Sequence, residues 1–248
     1  MMISRKKMIL KSIYFLIGVF FVPIKFSFAN QKIKHKYLSK GLDLIHKVLS
    51  RPLDVSILHI DKCINTNSVD FLNHDGFKDY INSLCTVFNG HHHGEDEILF
   101  PTYEKKFENI DFSVLKNQHK NLHLIVKNLK EKINSKNPTI DSYIQMRNLI
   151  YEIKDLWKVH RDLEEEIVEL DLEPKLSLKE QIDLADKLSK HGQSISKPAN
   201  LILPFLIYNL DQKERDDFTS DMPWVLKKIV VPIIWKSKWE KMKPFLLK

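Results

Sequence analysis

Glycine and cysteine are both scarce in this sequence. Its 248 residues include 6 glycines, and its 2 cysteines are Cys63 and Cys85. Sandwiches, propellers and nucleotide-binding α/β folds use glycine in their turns and phosphate loops, so the low glycine count argues against all three classes. Two cysteines are too few for a disulfide scaffold or a zinc–thiolate cluster. The hydrophobic fraction of 43% is high enough for a packed core and argues against disorder.

Several sequence signatures of enzymes are also missing. The sequence contains no G-x-S-x-G nucleophile elbow, no H-E-x-x-H zinc-protease motif and no glycine-rich phosphate loop. No histidine follows a glutamate by three positions, which argues against a ferritin-like bundle with its Glu-x-x-His motifs. The sequence therefore gives no support to a serine hydrolase, a zinc protease, a nucleotide-binding protein or a ferritin-like protein.

The positive charge is concentrated at the amino terminus. The formal net charge is +7, but residues 1–29 contain five lysines or arginines and no acidic residue, which leaves +2 for the rest of the chain. Nucleic-acid binding therefore has little electrostatic support, and we predict no nucleic-acid partner.

Residues 1–29 have the pattern of a secretory signal peptide. Basic residues precede an apolar run over 13–24, which is too short for a comfortable membrane span. Ser27 and Ala29 place small residues at the −3 and −1 positions of a cleavage site. We therefore expect export to the bacterial periplasm, with an uncleaved inner-membrane anchor as the alternative.

The middle of the chain has the periodicity of long helices. From about Lys36 to Leu172 the apolar residues recur at helical spacing, and no alternating strand pattern persists. Because the connections are short, consecutive helices should be antiparallel, so we predict an all-α fold: an up-down antiparallel four-helix bundle with additional C-terminal helices. Pro52 predicts a bend or break in the first helix. The four helices are predicted over residues 36–65, 76–101, 111–134 and 139–170.

Residues 173–248 form a predicted C-terminal helical extension of the domain over 36–172. Ser177 and Glu180 have the spacing of a capping box that begins a fifth helix. The apolar composition that follows favours helices packed over one side or end of the bundle. The segment 223–248 mixes tryptophans with lysines, so peripheral membrane contact through this Trp/Lys segment is the alternative.

The positions of the histidines carry the functional signal. A helix returns to the same face every three or four residues, so side chains at i and i+4 point in the same direction. Such pairs of metal-ligand types occur on three predicted helices, and the first helix contributes His46 within an apolar stretch. The three pairs are His91 with Glu95, His119 with His123, and His160 with Glu164.

Candidate ligands occur on all four predicted helices, which favours a metal site over histidines that are merely exposed or hydrogen-bonded. A single histidine of this kind is more often exposed, or buried with its hydrogen bonds satisfied. Buried imidazoles and carboxylates are costly unless they are paired or bound to a cation. The set contains five imidazoles and two carboxylates and no thiolate, which suits two adjacent first-row metal ions. Two close cations need bridging anions, and Glu95 and Glu164 are the candidates in register.

These motifs resemble those of the hemerythrin-like, HHE cation-binding family. Four motifs stand in family order, and the resemblance covers about residues 36–172. They are His46, the stretch His91–Pro101 that is similar to H-x-x-x-E-E-x-x-L-F-P, the dipeptide Gln118-His119, and a second H-x-x-x-E-E from His160 to Glu165.

The resemblance implies a non-haem di-iron centre, in which two bridged iron ions are held inside the antiparallel bundle. Each family ligand carries over only to the position that matches its motif. The terminal ligands are then His46, His91, His119 and His160, and the bridging ligands are Glu95 and Glu164.

The third helix offers a second histidine, His123, and the fourth offers two adjacent acids, Glu164 and Glu165. His123 completes the H-x-x-x-H pattern of the oxygen-carrying hemerythrins and is included as a ligand, although many relatives lack this histidine. The oxygen carriers place their last acid five residues after the histidine, which corresponds to Glu165 here. We favour Glu164, because a residue at i+4 shares the face of His160. His92 is expected beside the ligand set or exposed.

The resemblance also implies a function. Family members bind dioxygen reversibly at an open coordination position in a dry apolar pocket, so the expected partner is dioxygen or another small diatomic or peroxide ligand. One alternative is an enzyme that turns over peroxide or nitric oxide at the same centre, and another is iron storage or sensing. We favour binding over catalysis.

Overall fold

The computed structural model describes residues 38–69, 74–220 and 222–247, and all regular structure among these residues is helical. The predicted all-α fold is therefore confirmed, and the predicted signal peptide lies outside the described residues. The α-helices are α1 (Leu38–Thr66), α2 (His74–Gly94), α3 (Phe100–Lys106), α4 (Ser113–Ile133), α5 (Ile140–Glu165), α6 (Leu178–Ile195), α7 (Ala199–Tyr208), α8 (Gln212–Phe218) and α9 (Lys236–Trp239).

Wider or tighter helical turns extend several of these helices. There are three π-helical segments: the first follows α2, the second follows α5 and the third precedes α9. One 3₁₀ segment follows the second π segment, and the other follows α9. The π segments are Glu95–Leu99, Glu166–Leu172 and Leu226–Ile234, and the 3₁₀ segments are Glu173–Lys175 and Glu240–Phe245.

Side-chain caps fix the beginnings of two helices where the sequence predicts them. Thr139 precedes α5, its hydroxyl accepts a hydrogen bond from the Ser142 amide, and the Ser142 hydroxyl accepts one from the Thr139 amide. Ser177 and Glu180 form the predicted capping box at the start of α6. Each box satisfies two backbone donors that would otherwise lack partners at a helix N-terminus.

Of the bend or break predicted at Pro52, the break does not occur. α1 continues through this residue as one helix to Thr66. Proline cannot donate the backbone hydrogen bond of a helix interior, but Leu49 and Leu53 on either side are fully buried in the main core. Packing of an apolar face supplies most helical stability in proteins, and here it outweighs the missing bond.

The four long helices surround one interior. α1 packs on α5, α5 on α4, α4 on α2, and α2 on α1. Their apolar side chains form two separate clusters, which we call the main core and the second core. The main core includes Leu49 of α1, Phe88 of α2, Leu122 of α4 and Trp157 of α5. The second core includes Leu38 of α1, Leu99 of the first π segment, Leu115 of α4 and Val168 of the second π segment.

The C-terminal extension packs on the same interior. α6, α7 and the last 3₁₀ segment all contact α2. Phe205, Met242 and Phe245 are almost completely buried and belong to the main core. Among the described helices, none has both the length and the apolar character that crossing a membrane requires.

Candidate metal centre

The predicted ligands form a polar layer between the two apolar clusters. On α2, α4 and α5, together with the π extensions of α2 and α5, the residues on one side of the ligand belong to the main core and those on the other side to the second core. On α4, for example, His119 lies between Leu115 of the second core and Leu122 of the main core. His46, His119, His160, Glu95 and Glu164 are all at most 3% exposed. The sequence therefore buries a set of ionisable groups in the middle of an apolar interior.

A first group of four side chains converges from four elements. It contains His46 of α1, His91 of α2, Glu95 of the first π segment and Glu164 of α5, and one donor atom of each lies within 4.8 Å of all the others. Nε2 of His91 is 3.1 Å from Oε1 of Glu95. Nε2 of His46 is 3.3 Å from Oε2 of Glu164. These distances place two imidazoles and two carboxylates around one point.

A second group lies beside the first and shares one carboxylate with it. It contains His92, Glu95, His119 and His160, again with one donor atom of each within 4.8 Å of the others. Nε2 of His119 is 3.3 Å from Nε2 of His160 and 3.3 Å from Oε2 of Glu95. The rings of His92 and His119 are stacked with their centroids 4.2 Å apart.

Both carboxylates stand between the two groups. Oε1 of Glu95 faces His91 of the first group, and its Oε2 faces His119 of the second. Oε2 of Glu164 is 3.3 Å from Nε2 of His46 and 3.6 Å from Nε2 of His160, which again belong to different groups. This is the position that the sequence predicts for bridging ligands.

Most of the donor atoms of the two groups are buried without hydrogen bonds. Within the described part of the chain, no hydrogen-bond partner satisfies Nε2 of His46, His91 and His92 or either carboxylate oxygen of Glu95 and Glu164. Leaving a buried polar atom unpaired costs roughly 1–3 kcal/mol, and more for a charged group. Cations at the two groups would satisfy these atoms together, so the residues present fit metal ions.

Burial and mutual repulsion shift the pKa values of the same side chains. Burial lowers the pKa of His91 and of His92 well below the ordinary value, which keeps both imidazoles neutral and able to bind a cation. Burial and the adjacent Glu164 carboxylate raise the pKa of Glu95 well above its ordinary value. Burial also opposes ionisation of Glu164, but His160 and His46 hold its pKa well below the ordinary value. Two buried carboxylates that resist simultaneous ionisation are stabilised by shared cations.

Three acceptors outside the groups orient the imidazoles. Nδ1 of His46 is 2.7 Å from Oε1 of Glu165. Nδ1 of His119 is 2.9 Å from Oδ1 of Asp96, and Nδ1 of His160 is 3.1 Å from Oε1 of Gln118. A metal-binding histidine characteristically donates its other N–H to such an acceptor, which fixes the tautomer and leaves Nε2 for the cation. The acceptors are adjacent in sequence to Glu164, Glu95 and His119, and each supports a histidine on another helix.

Aromatic rings line the layer on both of its sides. The Trp157 ring is 5.0 Å from the His46 ring and 5.5 Å from the His160 ring, measured between centroids. Its Nε1 donates a hydrogen bond to the Ser50 hydroxyl, which holds the indole in place. On the opposite side Phe100 stacks on the His119 ring at 5.6 Å.

His123 is not brought to either group, which differs from the sequence prediction. This residue is exposed, and its ring lies 6.4 Å from that of the exposed His93. His92 occupies the second group instead and is only 6% exposed. The sequence contained a signal for this residue, because His92 and Glu95 have the i, i+3 spacing that also places side chains on one helix face.

The last acid lies where the helical geometry predicts it. Glu164 is fully buried in the first group, whereas the Glu165 side chain is 36% exposed and contacts the outer nitrogen of His46. The i+4 residue therefore faces the centre and the i+5 residue supports a ligand from behind.

Comparison with known proteins identifies the family. The family model described as the hemerythrin HHE cation binding domain matches residues 29–169, which is more than half of the chain. The chain belongs to the hemerythrin HHE cation-binding family, as its motifs suggest. No curated protein and no solved structure matches the chain.

Proposed function

We propose that this protein holds two iron ions in the paired groups and binds dioxygen reversibly there. The observation that supports this most strongly is the sharing of Glu95 between two groups of four buried donors. Imidazoles and carboxylates without thiolate are ligands that suit iron, and two adjacent ions need a common anion. With His92 in place of His123, the set still contains five imidazoles and two carboxylates.

We also propose that the four long helices form the up-down antiparallel bundle. Along α1 and α4 the chain passes from the second core to the main core, as from Leu115 to Leu122. Along α2 and α5, each with its π extension, it passes from the main core to the second core, as from Phe88 to Leu99. This alternation of direction supports the antiparallel arrangement.

The carboxylates, the histidines and the aromatic residues of the chain would have different roles at such a centre. Glu95 and Glu164 would neutralise the cations and keep them adjacent, and the five histidines would complete their coordination. The iron pair supplies, when bound, the electrons that reversible dioxygen binding requires. Trp157 and Phe100 exclude water and protons, which would otherwise promote irreversible oxidation of the metal.

The proposed location is the cell envelope. This part of the proposal rests on the signal-peptide pattern of residues 1–29. N-terminal sequencing of the protein recovered from the periplasm should begin at Asn30. An intact Met1 on protein recovered from the cytosol would overturn the export proposal and leave the metal centre unaffected.

Stopped-flow optical spectroscopy of the reduced protein tests the main proposal. We expect about two irons per chain and new visible absorption bands after mixing with dioxygen, which disappear when dioxygen is removed. His91→Ala and Glu95→Ala should each abolish the bands, because each removes a donor from the first group.

The same measurements distinguish the alternatives. A single zinc ion per chain and no optical change in air would overturn the dioxygen-binding proposal. Consumption of hydrogen peroxide or nitric oxide well above that of free iron would replace it with an enzyme. Two irons per chain without any dioxygen-dependent band would make iron storage or sensing the remaining alternative.

A further inference from the structure

One element of the C-terminal extension exposes a row of large apolar side chains. Trp224 is 63% exposed and Ile233 is 65% exposed, and their neighbours Val225 and Ile234 are 41% and 36% exposed. We call these four residues the outer patch. The two pairs are nine positions apart, which is about two turns of a helix whose hydrogen bonds run from i to i+5. They therefore lie on the same face of the π segment and the turn that precedes it.

The opposite face of this element is anchored in the molecule. Val231 is 1% exposed and packs in a small cluster with Ile207 and Met222. Nε1 of Trp239 donates a buried hydrogen bond of 2.8 Å to the Val231 carbonyl. The outer patch is thus presented by a fixed scaffold.

The segment that carries the outer patch has charge of one sign. Residues 222–239 contain four lysines and no acidic residue. Lys227 donates to the Thr219 carbonyl, whereas Lys228, Lys236 and Lys238 are exposed beside the outer patch in the sequence. Elsewhere in the described chain, the exposed large apolar side chains do not occur as adjacent pairs.

We propose that the outer patch and its lysines dock this protein on an anionic lipid surface. An exposed apolar patch rimmed by polar residues marks a site of interaction. Tryptophan and branched aliphatic side chains enter the boundary between headgroups and acyl chains, while lysines approach the anionic headgroups. The complementary charge favours such a surface over a second copy of this chain, because two copies would bring like charges together at a two-fold interface. The proposed contact is peripheral, because these side chains enter only the boundary between headgroups and acyl chains.

Quenching of tryptophan fluorescence by lipids with brominated acyl chains tests the docking. The full chain is mixed with vesicles of brominated phosphatidylglycerol or of brominated phosphatidylcholine. Residues 1–29 contain no tryptophan, so any insertion by that segment does not itself give this signal. Trp157 and Trp239 are buried, which leaves the exposed Trp224 and the half-buried Trp235 as reporters, and both lie in or directly after this element. We expect quenching by the anionic vesicles, little by the zwitterionic vesicles, and a decrease as the salt concentration rises.

Variants at exposed positions locate the contact. The double variant Ile233→Asp/Ile234→Asp should lose most of the quenching, because the new carboxylates are repelled by anionic headgroups. It should retain its helical circular dichroism, since both side chains are exposed. The matched control is Leu58→Asp, which places a carboxylate at another exposed apolar position, on α1, and should leave the quenching unchanged.

Three results would overturn the proposal. The first is no quenching of the wild-type chain by anionic vesicles. The second is equal quenching of the wild type and the double variant. The third is a wild-type dimer, converted to a monomer by the double variant and not quenched by either lipid, which would make a second copy the occupant of the outer patch.

Discussion

At the scale of single residues, the interior stripe of α4 explains why His92 replaces His123 in the second group. The buried side chains of α4 include Leu115, His119, Leu122 and Val126, which are spaced by four, three and four residues. This stripe passes through His119 and then Leu122, so His123 falls outside it and is exposed. The i, i+4 pairing was sufficient to predict His91 with Glu95 and His160 with Glu164. It could not show which of two adjacent residues continues an interior stripe.

Removing each histidine in turn separates the two assignments. We expect His92→Ala to reduce the metal content from two ions per chain towards one, because it removes a buried donor of the second group. His123→Ala is the matched control and should retain both ions, since this side chain is exposed. Elemental analysis of the purified proteins measures the difference. Loss of metal in His123→Ala but not in His92→Ala would restore the ligand set predicted from the sequence.

The acceptors behind the imidazoles give a second prediction at this scale. Asp96→Ala should weaken metal binding by about 10–100-fold, because it removes the acceptor that orients His119. Competition with a chromophoric chelator measures the affinity. Glu97→Ala removes a neighbouring carboxylate that contacts the outer histidines His93 and His191, so it should leave the affinity unchanged. Equal losses of metal affinity in the two variants would indicate a general effect of negative charge. They would contradict the role of Asp96 in orienting His119.

At the scale of elements, the helix lengths were predictable and the π segments were not. Each π segment has a proline within it or two residues beyond its end, namely Pro232, Pro101 and Pro174. Proline cannot supply the backbone donor that the preceding turn needs. The periodicity of the sequence indicated helix ends near Pro101 and Pro174, whereas the chain widens its turns there and remains helical. A fixed period of 3.6 residues contains no information on such widening.

The ion pairs between α1 and α8 give a prediction that depends on pH. Although partial burial opposes its ionisation, the Arg51 guanidinium, the Asp211 amide and Lys47 lower the pKa of Glu214 to about 2. A carboxyl whose pKa is lower in the folded state stabilises the fold above its unfolded value near 4.5, and this stabilisation is lost as the pH falls towards 2. We expect Glu214→Gln to lower the unfolding free energy by about 1 kcal/mol at pH 7.

Denaturant unfolding at several pH values measures this effect. The difference between the wild type and Glu214→Gln should disappear as the pH approaches 2. Glu152→Gln, at an exposed position of α5, is the control and should show no such difference at any pH. A difference of the same size at pH 2 and pH 7 would contradict the assignment of the low pKa to Glu214.

At the scale of the whole molecule, the sequence indicated the helical class and six of the seven residues in the two donor groups. It did not indicate how the C-terminal extension packs. The apolar composition of residues 198–210 favoured packing on the bundle without indicating where. In the structure, Phe205 and Phe245 complete the main core against α2, and both contact Tyr80. Such contacts depend on the path of the chain between helices, which periodicity does not determine.

Metal removal should destabilise the whole chain. Binding to the folded state alone raises its stability, so we expect a chelator to lower the melting temperature of the metal-loaded protein. In Glu95→Gln the shared carboxylate is absent, and the chelator should have little effect on melting. Circular dichroism melts with and without chelator measure the shift. An equal shift in the wild type and in Glu95→Gln would place the stabilising cation elsewhere.

The polar layer is closed above and below by tightly packed aliphatic and aromatic side chains. A hydrated ion would have to shed its water shell to reach donors that lie between these two packed clusters, so we expect its exchange with the surroundings to be slow. Loading would then accompany folding, in the compartment where the chain folds. The metal found in each molecule would reflect which ions were present when that molecule folded.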